Sequence, residues 1–165
     1  MSLSWSGYSQ EAVKLRVSPL EMVTLKYEST YVKITYGRPH KNDRVIFGEL
    51  VPYGQVWRTG ANEATEITLT RDVLINSSRL TAGTYTVFTI PEKDGWKVIF
   101  NSELGQWGAY NYNPDKNVLV VEAAVSQTEV VYEPFTIEFQ LQDTKANLLM
   151  MWDTTKASIT LEFVE

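Results

Sequence analysis

The chain has 165 residues, a formal net charge of −5 and no cysteine. This length suits one domain, and the lack of cysteine excludes disulfides, thiol nucleophiles and thiolate metal sites. The acidic balance argues against a nucleic-acid partner, and no apolar stretch approaches the roughly 20 residues of a membrane span.

The first 20 residues show no clean hydrophobic period and end near Ser18-Pro19. We therefore expect an N-terminal arm over residues 1–20 and a single domain over residues 21–165. The arm has no basic segment followed by an apolar one, so we expect no secretory signal within this sequence.

Alternation of apolar and polar residues predicts five half-buried strands, at 32–36, 66–70, 96–101, 135–142 and 158–163. The pattern at 135–142 places Phe139 in the core. Residues 118–121 and 148–152 are apolar on both faces, which is typical of strands that are covered on both sides. Residues 84–90 are also rich in strand-forming residues.

Turn residues separate these runs. Residues 91–95 predict a hairpin loop, residues 113–115 predict a turn, and Pro134 inside a strand-like run predicts a bulge or an edge position. Residues 45–51 are the one candidate for a helical turn. We conclude that the fold is an all-β, antiparallel β-sandwich of about nine or ten strands with at most one short helical turn. The alternative is a β-barrel.

The connection from residue 36 to residue 65 is long, and long structured connections often carry function. It contains Arg38, Trp57, Arg58, Asn62 and Glu63. Arginine offers a rigid fork of donors for a carboxylate, and asparagine offers both a donor and an acceptor. Glutamate could act as a general acid or base. The alternative is that Glu63 pairs with Arg38 or Arg58 and only fixes the loop.

Residues 106–113 form a second candidate segment, because Trp107 and Tyr110 are interleaved with asparagine and glutamine. Their flat rings could stack on a sugar. The alternative is that these rings cap the core.

The sequence gives little support for a zinc site, a serine nucleophile or a calcium site. His40 is the only histidine, whereas zinc sites use several histidine or cysteine ligands. No Gly-x-Ser-x-Gly motif exists to form a nucleophile elbow, and residues 111–115 lack the spacing of a calcium loop. We therefore assign no catalytic residue, no metal site and no cofactor.

Several segments taken in order resemble one known family. They are residues 36–39, 48–54, 57–65, 82–91 and 106–110, and the resemblance spans residues 25–163. The family is the bacterial one catalogued as domain of unknown function 2911. The resemblance implies a β-sandwich without an established activity, often exported. We therefore expect a periplasmic or extracellular location, with the signal segment absent from this sequence; the alternative is cytoplasmic.

The functional prediction is a soluble, non-catalytic binding or structural module for a small polar ligand, such as a sugar or a small carboxylate. Its site comprises Arg38, Trp57, Arg58, Asn62, Glu63, Trp107 and Tyr110. One alternative is an enzyme acting on a sugar or small acid with Glu63 as acid or base. Another is a homodimer module that uses the exposed aromatic residues.

Overall fold

The computed structural model describes residues 15–164. This part of the chain forms nine strands and one 3-10 turn, which confirms the all-β prediction. The elements are β1 (Leu20–Tyr27), β2 (Thr30–Gly37), β3 (Thr65–Leu69), β4 (Val73–Ile75), β5 (Ser78–Leu80), β6 (Gly83–Pro91), β7 (Trp96–Asn101), η1 (Pro114–Lys116), β8 (Asn117–Gln142) and β9 (Lys145–Phe163). No helix within residues 15–164 is long and apolar enough to span a membrane.

All the strands pair antiparallel in one continuous sheet of order β1-β2-β3-β6-β7-β8-β9-β4-β5. Strand β8 pairs with β7 through residues 117–123 and with β9 through residues 124–142. The sheet therefore continues through β8 from one layer into the other. The first layer contains β1, β2, β3, β6 and β7, and the second contains β9, β4 and β5. The apolar core includes residues of both layers. The sheet does not close into a barrel, because β1 and β5 are its two edges.

The pairing register between β8 and β9 shifts twice, between Gln127 and Tyr132 and between Tyr132 and Thr136. Pro134 lies in the second irregular stretch, as predicted, because proline has no N–H to donate to a ladder. The Phe135 amide instead donates to the Pro39 carbonyl (2.8 Å). The bulge thus holds the chain that follows β2 against β8. This contact positions a segment that lines the cavity described below.

Five aromatic rings, which we call the aromatic cluster, pack between the layers with centroid separations of 4.9 to 6.4 Å. They are Phe47, Trp57, Trp96, Phe135 and Trp152. Three come from strands β7, β8 and β9, and two come from the long connection. Aromatic pairs in such geometries add stability beyond the area that they bury.

Two predictions about burial are wrong. Val118 and Val120 are exposed, so the first half of β8 is covered on one face only, whereas residues 148–152 are buried throughout as predicted. Phe139 is half-buried, and Leu141 beyond it is exposed. The alternation of 135–142 is present, but burial along β8 declines toward the hairpin turn at Asp143.

The predicted helical turn at 45–51 is also wrong. This segment is a turn closed by backbone bonds from the Gly48 amide to the Val51 carbonyl (2.9 Å) and from the Val51 amide to the Ile46 carbonyl (2.9 Å). The 3-10 turn lies instead at Pro114–Lys116, where the Asn113 side chain caps the Asp115 amide. An asparagine cap followed by proline is a typical start for such a turn.

Replacement of Phe135 by alanine is expected to destabilise the protein by about 3–5 kcal/mol, because its ring is fully buried in the aromatic cluster. The matched change Phe139→Ala should cost less than about half of that, because the Phe139 ring is only half-buried. Urea unfolding of both variants measures the difference. Equal losses would contradict this assignment of the core.

Candidate functional site

A cavity of about 580 Å³ opens between the chain that follows β2 and the aromatic cluster. Its volume falls in the range of about 300–1,000 Å³ that small-ligand sites occupy. Trp57 and Trp152 contribute to its lining and join it to the core. Polar side chains, among them Arg58, Asn62 and Gln55, share this lining.

The loop of residues 57–64 is anchored at its start to strand β6. The backbone of Trp57 makes two hydrogen bonds with the backbone of Thr89, at 2.7 and 2.9 Å. The Trp57 indole N–H donates to the Gly60 carbonyl (3.2 Å), which closes the loop over its own first residue. The loop is therefore fixed by β-type pairing and by a side chain that is packed in the core.

The same loop contains strained backbone. Thr59 has a φ of +56° and Asn62 a φ of +64°. A β-branched residue in this region is unusual, and such strain persists only where the surroundings enforce it. Here the Thr59 hydroxyl donates to the Thr89 hydroxyl (3.1 Å), and the Thr65 hydroxyl donates to the Thr59 carbonyl (2.6 Å). Thr59 is fully buried, so these bonds are shielded from water.

Gly37, the last residue of β2, allows the loop to approach closely. The Ala61 amide donates to the Gly37 carbonyl (3.1 Å). A Cβ atom at residue 37 would lie 1.9 Å from the Ala61 carbonyl oxygen. Only glycine fits this contact without a movement of the backbone.

Arg58 is half-buried, and its Nε donates to the Gly60 carbonyl (3.2 Å). None of the ion pairs formed by residues 15–164 includes Arg58. Nη1 of Arg58 lies beside Gly108, where an added Cβ would be 3.4 Å away from it. The guanidinium is thus held by backbone through Nε, and neither Nη group has a hydrogen-bond partner within the described part of the chain.

The second predicted segment lies directly beside this loop. The Ala64 amide donates to the Gln106 carbonyl (2.9 Å), and the Gly108 amide donates to the Asn62 carbonyl (2.9 Å). Tyr110 contributes to the cavity lining and is 82% exposed. Trp107 is also largely exposed but lies outside the lining.

Four of the seven predicted residues line the cavity, namely Trp57, Arg58, Asn62 and Tyr110, while Arg38, Glu63 and Trp107 do not. Sequence reasoning missed Arg44, Gln55 and Trp152, which also line it. Arg44 and Gln55 lie in the long connection that sequence reasoning singled out. Trp152 sits in a buried apolar strand, so nothing in the sequence marks it as part of a site.

Arg38 connects the layers of the sheet. Its guanidinium contacts the Glu21 carboxylate (3.4 Å) in β1 and the Thr136 hydroxyl (3.3 Å) in β8. Its partner is therefore Glu21, and not Glu63 as one alternative proposed. The buried Nε of Arg38 has no hydrogen-bond partner within the described part of the chain.

Glu63 pairs with Arg16 of the N-terminal arm, through both carboxylate oxygens, with one contact at 3.2 Å. Its side chain is 45% exposed. The hydrogen bond from Arg16 lowers the pKa of Glu63 below its ordinary value of 4.5. A general acid at neutral pH needs a raised pKa. The geometry of Glu63 therefore favours a structural pair.

The end of the N-terminal arm lies along the rim of the cavity. The Arg38 amide donates to the Pro19 carbonyl (2.8 Å), and the Asn62 side chain donates to the Ser18 carbonyl (3.4 Å). Val17 contributes to the cavity lining. Most of the predicted arm, residues 1–14, lies outside the described residues, and β1 begins at Leu20, the last residue assigned to the arm.

Within residues 15–164, no group of three histidine or acidic side chains is placed to hold a metal ion. His40 lines the cavity at its exposed rim. The site thus consists of one strained, anchored loop, residues 109–110 of its neighbour, part of the connection over residues 39–56, and the buried ring of Trp152.

These features define a class of protein: an antiparallel two-layer β-domain with a cavity between a fixed loop and the core. The family model described as "Protein of unknown function (DUF2911)" matches residues 18–161, so the chain belongs to this family. The match reaches all nine strands and includes both loop segments. No curated protein and no solved structure matches the chain.

Replacement of Gly37 by alanine is expected to destabilise the fold by about 1–3 kcal/mol or more, because the new methyl group would collide with the Ala61 carbonyl. The matched change Gly95→Ala should alter stability by less than about 0.5 kcal/mol, because its Cβ would lie 3.7 Å from the nearest atom. Denaturant unfolding measures both. A tolerated Gly37→Ala would show that the loop does not need this close contact.

Proposed function

We propose that this chain is a non-catalytic module that binds a small polar ligand in the cavity. The observation that carries the proposal is a preformed cavity of ligand size whose lining combines apolar side chains with polar groups, two of which, Arg58 and Asn62, sit on a strained, fixed loop. Small-molecule sites have this combination of an apolar lining and a few placed polar groups. Strained backbone that is enforced by its surroundings is also concentrated at ligand sites.

An extracytoplasmic location belongs to the same proposal. Its support is the resemblance of the chain to a family whose members are often exported. A domain without cysteine does not depend on the redox state of its compartment, so its composition suits either side of a membrane.

A homodimer module is a second candidate function, because the rings of Trp107 and Tyr110, three residues apart in one segment, are both exposed. Exposed apolar patches often mark interaction surfaces. Sedimentation at two protein concentrations separates the candidates. A monomer at both concentrations favours the binding module, and a dimer whose formation is abolished by Trp107→Ala favours the interaction module.

A thermal-shift screen against sugars and small carboxylates tests the binding proposal. A ligand present at about 100 times its Kd should stabilise the protein by about 2.7 kcal/mol and raise the Tm by several degrees. The change Gln55→Trp should abolish that shift, because a large ring would enter the cavity from its exposed rim. The matched change Gln140→Trp lies on an exposed face outside the lining and should preserve the shift.

Two outcomes would contradict the proposal. In the first, no compound in the screen changes the Tm. In the second, the shift survives Gln55→Trp, which would place binding elsewhere.

A further inference from the structure

The charge of the cavity differs in sign from that of the whole chain. The protein carries a net charge of −5. The cavity lining nevertheless includes Arg44 and Arg58 and contains no aspartate or glutamate from the described residues. A partly enclosed cavity lined by one sign of charge favours ligands of the opposite sign.

The two arginines differ in the donors that they have available. The Nε of Arg44 donates to the Lys41 carbonyl (2.9 Å), and one of its Nη groups donates to the His40 carbonyl. Among its contacts with residues 15–164, Arg58 uses only Nε in this way, toward Gly60. Its Nη1 and Nη2 therefore remain as a pair, which is the arrangement that binds two oxygens of one carboxylate.

Other parts of the cavity surface are apolar. Val51, Pro52 and Val56 contribute to its wall, and Trp57 and Trp152 connect it to the aromatic cluster. An anion without an apolar part would leave this surface in contact with water. Burial of apolar area is worth about 25 cal/mol per Å², so a ligand that covers the floor gains affinity.

We propose that the cavity selects a carboxylate that carries an aromatic or similarly broad apolar group. The carboxylate binds Nη1 and Nη2 of Arg58, and the apolar group covers Trp57 and the exposed side chains of Leu50 and Pro52. This inference rests on the proposed binding function and specifies its ligand. A neutral sugar fits less well, because it carries no negative charge to pair with the guanidinium of Arg58.

Calorimetric titration with a matched set of probes tests the inference. Naphthylacetate has both the carboxylate and the broad apolar group. Naphthylacetamide keeps the shape without the charge, acetate keeps the charge without the ring, and glucose represents a polyol. Naphthylacetate should bind at least about tenfold more tightly than each of the other probes, which corresponds to the typical strength of a charge-assisted hydrogen bond.

Paired variants test the role of Arg58. Arg58→Gln should weaken naphthylacetate binding by at least about tenfold and leave naphthylacetamide unchanged. Arg71→Gln removes the same charge at an exposed residue outside the cavity lining and should leave both affinities unchanged. Unfolding curves of both variants check that they remain folded.

The outcomes separate this inference from the proposed function. If naphthylacetamide or glucose binds as tightly as naphthylacetate, or if Arg58→Gln has no effect, the cavity binds ligands but the carboxylate assignment is wrong. If none of the four probes binds, the inference is wrong, and the wider ligand screen then decides the proposed function separately.

Discussion

The indole of Trp57 packs among aromatic rings from both layers of the sheet, with centroid distances of 5.0 Å to Phe135 and 5.9 Å to Trp152. Trp57 is also the first residue of the loop that bears Arg58 and Asn62. One side chain therefore joins the hydrophobic core to the polar side of the cavity. Closely packed interiors resist displacement. Because Trp57 is packed in this interior, the loop that it begins is held as rigidly as the core.

A rigid loop can hold backbone that would be unfavourable elsewhere. The left-handed conformations of Thr59 and Asn62 each cost free energy, of order 1–3 kcal/mol. Buried hydroxyl bonds to Thr89 and Thr65, together with the contact at Gly37, offset this cost. The polar groups of the cavity are thus placed before any ligand arrives, which lowers the ordering cost of binding.

The sequence predicts the parts of this structure that depend on local pattern. Two-residue alternation locates β2, β3, β7 and the C-terminal ends of β8 and β9, runs that are apolar on both faces locate the N-terminal parts of these two strands, and Pro134 locates the bulge. Local pattern does not show that residues 118–121 and 135–142 belong to one strand that passes between layers. The continuity of this strand depends on its pairing with residues that are distant in the sequence. The short strands β4 and β5 are too brief to show a period. For the site, loop composition indicates Arg58 and Asn62, whereas the partners of Glu63 and Arg38 follow from tertiary packing alone.

Amide hydrogen exchange tests the fixed loop most directly. The amides of Trp57, Ala61 and Thr65 donate to backbone carbonyls of Thr89, Gly37 and Arg58. If the loop is part of the core, these amides should exchange within about tenfold of the rate of Val98 in the centre of β7. Exchange at the rate of an unstructured peptide, with Val98 still protected, would contradict a preformed cavity.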